Sequence, residues 1–112
     1  VHDLGTVINI QNMEGQLHGG IYMGLGYALM EEFVYTKTDS FAKFRVPRAK
    51  DMPEMEVITL NIPRKKGPFG ASGMAEYSDV PTAPAIANAI YHACGVRVRD
   101  LPMTPEKIKK AL

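Results

Sequence analysis

The densest chemical signal in the chain is one run of ten residues, Gly67-Pro68-Phe69-Gly70-Ala71-Ser72-Gly73-Met74-Ala75-Glu76. Three glycines and a proline at this density specify unusual backbone angles, so the segment reads as a stiff loop. It delivers a small apolar pair and then a single carboxylate. A glutamate held by such a loop in partly apolar surroundings has the makings of a general base with a raised pKa. The plainer reading of the same residues is a solvated loop carboxylate. Elsewhere the chemistry is thin. His2, His18 and His92 share no metal-ligand spacing with one another or with acids. Ala71-Ser72-Gly73 lacks the flanks of a nucleophile elbow. Gly24-Leu25-Gly26 lacks the third glycine of a dinucleotide fingerprint and falls in the middle of a helix. Cys94 is the one cysteine, which leaves no intrachain disulfide and no Cys cluster for zinc or iron–sulfur. At the end of a helix it reads as a small buried thiol.

The elements that must position this loop follow from periodicity. Residues 7–10 form a short β-branched run, which predicts a strand. From Met13 the period becomes helical, with Leu17, Ile21, Leu25, Ala28, Leu29 and Phe33 in step, giving a helix of roughly five turns that ends near Glu32. Glycine inside a helix costs about 1 kcal/mol relative to alanine, so something must offset the glycines here. Gln16, Gly20, Gly24 and Ala28 lie four apart on one stripe, where a second backbone or a ligand can approach closely. Residues 33–36 and 41–46 read as two strands joined by a turn at 37–40, and Pro47 ends the second. Residues 55–62 alternate with period two, the pattern of a half-buried strand. Pro81 and Pro84 flank the start of a second helix that runs to Cys94 and is capped by Gly95. Residues 96–99 alternate as a short strand. Thr104 is the N-cap, and Pro105 the first position, of a last helix. The predicted order β-α-β-β-β-loop-α-β-α gives an α+β fold, a mixed sheet packed with a long glycine-striped helix, a second helix and a short C-terminal helix.

A chain of 112 residues, 46% of them hydrophobic, suits a single domain over residues 1–112 with a modest core. A net charge of +1 leaves no electrostatic footprint, and the clusters Arg64-Lys65-Lys66 and Lys107-Lys109-Lys110 read as solvated faces. No nucleic-acid or membrane partner is expected. The most apolar run, residues 17–30, is too short and interrupted to span a bilayer. The absence of disulfides suits a reducing, cytoplasmic compartment. The chain opens at Val1 without a methionine, inside a predicted strand, and closes on a finished helix. That pattern is expected of the C-terminal fragment of a larger protein, with apolar surface left open to self-association.

Four stretches, taken in order, resemble the C-terminal signature of the large molybdenum-binding subunit of the xanthine dehydrogenase and aldehyde oxidoreductase family. They are residues 70–76, 81–90, 95–97 and 101–107. Upstream, Asp3-Leu4-Gly5-Thr6-Val7-Ile8-Asn9, the glycine-rich helix with Gly15-Gln16-Leu17-His18-Gly19-Gly20, and Phe44-Arg45-Val46-Pro47 are similar to successive elements of that subunit. The resemblance implies a molybdenum–pyranopterin cofactor, as the cytosine dinucleotide in bacterial members. It also implies hydroxylation of an N-heterocycle or aldehyde with water-derived oxygen. A glutamate in the position of Glu76 then deprotonates a metal-bound hydroxyl, Gln16 faces the pterin, and Ser72, Gly73, Met74 and Ala75 line the metal site with their backbone. No side chain of this chain is expected to ligate the metal. Implied partners are the remainder of the subunit, iron–sulfur and flavin domains or subunits, and a small-molecule substrate. The isolated chain is expected to be inactive and to lack the cofactor. Two departures stand out. Ala75 occupies a position that is commonly glycine, and Tyr77-Ser78-Asp79 replaces a more proline-rich or apolar continuation. The alternative is a non-catalytic assembly domain, or a diverged one, of the same fold.

Overall fold

Asn9 turns the chain into its longest helix. Its side chain accepts from the Asn12 backbone N–H at 2.9 Å, the usual N-cap bond. From there α1 runs over Ile10–Leu29 in the computed structural model, which describes all 112 residues. α2 is the single turn Phe41–Phe44, α3 covers Asp79–Cys94 and α4 covers Pro105–Ala111. Short 3-10 turns sit at Ala49–Asp51 and Pro68–Gly70.

α1 and α3 are the only two elements in mutual contact, and the glycine stripe explains why they can meet. A Cβ added at Gly20 would lie 2.1 Å from Ser78 Oγ, and one at Gly24 would lie 2.5 Å from Thr82 Cβ. Close packing therefore offsets the helix cost of these two glycines. Along the same stripe Ala28 is fully buried, and with Ala83 and Met103 it forms the core. Tyr27, Leu29, Ile86, Ala87, Ile90 and Val98 pack around it. Met103 also donates its backbone N–H to the Ala28 carbonyl at 2.7 Å, so the segment before α4 is stitched to the end of α1. α3 ends where expected, with Gly95 in the left-handed region at φ +75° and its N–H on the Tyr91 carbonyl at 2.7 Å. α4 starts on Thr104, whose side chain accepts from the Lys107 N–H.

The expected mixed sheet is absent, and the α+β assignment is thereby corrected. The only β pairing is an isolated antiparallel bridge between Gly5 and Ala71. Residues 41–44 are helical, with Phe41 and Phe44 three apart on one turn and Arg45 closing it at φ +69°. Thr36, in the expected strand 33–36, has φ +68°, which no strand tolerates. Ile10 belongs to α1, and residues 55–62 and 96–99 join no ladder. A strand is a property of two segments: alternation records one apolar ribbon, but a ladder needs a neighbour for its N–H and C=O groups. In 55–62 the pattern is genuine and the neighbour is missing, so Ile58, Leu60 and Ile62 remain 77%, 73% and 63% exposed.

Candidate active site

The loop that carries Glu76 is moored by the start of the chain. The Gly70 carbonyl accepts from both Thr6 N–H at 3.0 Å and Arg64 N–H at 2.9 Å. Ser72 gives its N–H and its hydroxyl to the Leu4 carbonyl at 3.1 and 3.2 Å. Gly5 must be glycine here, because its Cβ would lie 2.1 Å from the Gly70 carbonyl oxygen. Asp3 and Arg64 lock the same junction: Arg64 donates to the Asp3 carboxylate at 3.1 and 3.2 Å and to its carbonyl at 2.8 Å. The guanidinium, then the Gly5 N–H, hold the Asp3 carboxyl below its ordinary range. Within the loop Gly67, Phe69 and Gly70 take positive φ, which bears out the expectation of unusual backbone angles.

Glu76 itself has φ +54°, a left-handed conformation rare for a residue with a side chain. Its carbonyl accepts from the Asp79 N–H at 3.2 Å, closing a turn into α3. Glu76 and Ala75 are exposed, Met74 and Ser72 half-buried and Gly73 exposed. The partly apolar enclosure expected around the carboxylate is therefore not supplied by these 112 residues. Gln16 is exposed on the second turn of α1. The two regions meet through Ser78, whose hydroxyl donates to the Gln16 carbonyl at 3.4 Å. Sequence reasoning missed Ser78. A serine just before a helix is an N-cap signal, but with Pro81 and Pro84 read as flanking its start, α3 was expected to begin at least two residues too late. Tyr27, also missed, donates its hydroxyl to the Asp79 carbonyl at 3.0 Å. Burial, then the Asp79 charge, raise its pKa. Tyr22 donates to the Pro47 carbonyl, tying residues 44–47 to α1. The three histidines are scattered, and no group of three His, Cys, Asp or Glu side chains is placed to hold a metal ion.

The residues present fit a pterin-type group. Gly15 and Gly19 flank Gln16 on α1, and Gly73 lies in the loop; a Cβ at any of the three would meet nothing within 4 Å. The backbone N–H groups of Gly73, Met74, Ala75 and Glu76 donate to no protein acceptor. Successive free amides of this kind suit oxygen-rich, electron-rich ligands.

Residues 1–53 match the model of the molybdopterin cofactor-binding domain. The chain is 40% identical over 112 residues to the aldehyde oxidoreductase of Megalodesulfovibrio gigas, covering 98% of this chain and 12% of that protein. It is 33% identical over 114 residues to the putative xanthine dehydrogenase molybdenum-binding subunit XdhA of Escherichia coli K12, covering 96% of this chain and 15% of the relative. A crystal structure of the Cu,Mo-CO dehydrogenase superposes on 97% of this chain with a TM-score of 0.80 and 28% identity, using 15% of that chain. The chain thus spans about an eighth to a seventh of the relatives it matches. Over nearly its whole length the chain thus aligns with a segment of proteins named xanthine dehydrogenase molybdenum-binding subunit and aldehyde oxidoreductase, and it is similar to that family.

Proposed function

We propose that Glu76 is the general base of a molybdenum hydroxylase that adds water-derived oxygen to an N-heterocycle or an aldehyde. The observation that carries this reading is the placement of Glu76: a non-glycine residue at φ +54°, at the end of a moored loop whose last four amides, its own included, are free. Left-handed backbone at a residue with a side chain is costly and collects at functional sites. The relatives named xanthine dehydrogenase and aldehyde oxidoreductase support the substrate class. When bound, the molybdenum–pyranopterin cofactor, in its cytosine dinucleotide form, would supply a Lewis acid and would take up the hydrogen that leaves the substrate carbon together with its two electrons. Gln16 offers its side-chain amide, both donor and acceptor, to the pterin edge, over backbone left bare by Gly15 and Gly19. The backbone of Ser72, Gly73, Met74 and Ala75 lines the metal side. The Glu76 carboxylate takes the proton from the water that becomes the product hydroxyl and returns it to solvent. The remainder of the subunit encloses the substrate, and iron–sulfur and flavin domains or subunits carry the electrons away.

The test is Glu76→Gln in the full-length subunit with its partners. The variant is expected to lose about 10²–10⁴ in kcat, the usual contribution of a positioned base, while molybdenum measured by elemental analysis stays at the wild-type level. Turnover close to wild type would refute the assignment.

A further inference from the structure

We infer that Ser78 is a positioning residue that holds Glu76 in register with Gln16, an inference that rests on the base-and-cofactor reading above. Ser78 is 5% exposed and occupies the N-cap position of α3. Serine there ordinarily turns its hydroxyl back onto the first helical N–H groups. Here φ −79° and ψ −18° are helical and no such bond forms. The hydroxyl reaches across to α1 instead and donates to the Gln16 carbonyl at 3.4 Å. Its own carbonyl accepts from Thr82 Oγ1 at 2.6 Å. Both polar ends of Ser78 are therefore engaged, one on each helix.

The neighbouring geometry makes this a clamp. Two residues before Ser78 stands Glu76, its left-handed backbone closed by the Asp79 N–H. On the opposite side α1 presents Gly20, and a Cβ there would lie 2.1 Å from Ser78 Oγ and 3.0 Å from the Asp79 nitrogen. The Glu76–Asp79 turn can seat against α1 only because position 20 has no side chain and position 78 has a short one. A shift of the Gln16 turn is thereby passed to the Glu76 backbone. A base displaced by about 1 Å costs on the order of 10²-fold in rate, so register across this contact is a catalytic variable.

Three variants of the full-length, molybdenum-loaded subunit test it. Ser78→Ala removes the hydroxyl and is expected to lower kcat about tenfold with KM within about twofold. Gly20→Ala drives a methyl group into the hydroxyl and is expected to cost about 10²-fold. The double variant removes the clash with the hydroxyl but keeps a tight contact with the Asp79 nitrogen at 3.0 Å, and it should recover part of the loss, ending between Gly20→Ala and Ser78→Ala. Amide hydrogen exchange is read alongside and should rise at residues 14–18 and 76–79 in Ser78→Ala. Wild-type kcat in Ser78→Ala overturns the positioning role if Glu76→Gln is inactive. If Glu76→Gln keeps its turnover, the base reading fails separately, and exchange decides the clamp. Unchanged exchange at both segments in Ser78→Ala overturns it in either case, including one in which Gly20→Ala fails to fold.

Discussion

Asp3 is an exposed carboxylate with an effect that reaches the loop before Glu76, because its partner Arg64 also gives its backbone N–H to Gly70. The Arg64 hydrogen bonds, then the Gly5 N–H, lower the Asp3 pKa from its ordinary value of 3.8. A depressed carboxylate contributes stability that is complete above the unfolded-state pKa and disappears as pH falls through the folded-state value. Below pH 3.8 the junction of residues 3–6 with 70–72 is thus expected to loosen, seen as faster exchange of the Ser72 amide. Arg64→Ala should show that exchange already at neutral pH. An undiminished acid step in Arg64→Ala would count against the Asp3–Arg64 pair as its source. At this scale the sequence made the unusual backbone of the loop before Glu76 legible, since glycine and proline advertise it locally. It did not reveal Asp3–Arg64 or Ser78–Gln16. Those pairs lie 61 and 62 residues apart, and contacts at that separation leave no periodic trace.

The three longer helices, α1, α3 and α4, proved readable as elements because each carries its own hydrogen bonds and caps, whereas the single turn α2 was read as a strand. α4 begins as expected, α3 ends on Gly95 as expected, and α1 starts three residues earlier than its apolar period because Asn9, not Met13, sets its cap. Strands were unreadable for the converse reason, as their hydrogen bonds belong to another segment. The α1 stripe was read both as close packing and as close approach of a ligand. Packing holds at Gly20 and Gly24, where α3 fills the space, and the two readings predict opposite effects along one helix. Gly24→Ala should push on Thr82 and cost about 1–3 kcal/mol by overpacking, exceeding the helix propensity it restores. Gly15→Ala and Gly19→Ala meet nothing within 4 Å and should each stabilise the chain by about 0.4–1 kcal/mol. Urea midpoints check all three. In the full subunit the same two stabilising changes should lower molybdenum loading, by crowding the backbone around Gln16. Unchanged loading would remove the pterin from that face.

The molecule as a whole is open. Its radius of gyration is 17.0 Å, against about 13 Å for a compact chain near this length, and 14 of 112 residues are buried. Ile58, Leu60 and Ile62 line a groove of about 530 Å³ with Val1, Leu4 and Val7, and unpaired backbone runs along it. Such an edge recruits other strands. The isolated chain is expected to associate with itself, giving a light-scattering mass above that of one chain, and Leu60→Lys should return it toward the monomer. A wild-type chain that scatters as a clean monomer at high concentration would contradict this. The mooring of the Glu76 loop has one more consequence, in chain entropy. The contacts between residues 3–6 and 64–72 close a loop more than sixty residues long. Loop-closure cost grows only logarithmically, so doubling that length adds about 0.6 kcal/mol. The span between α1 and the loop can therefore lengthen or shorten with little penalty to where Glu76 stands, and insertions there are a cheap way to reshape the surroundings of an unmoved base.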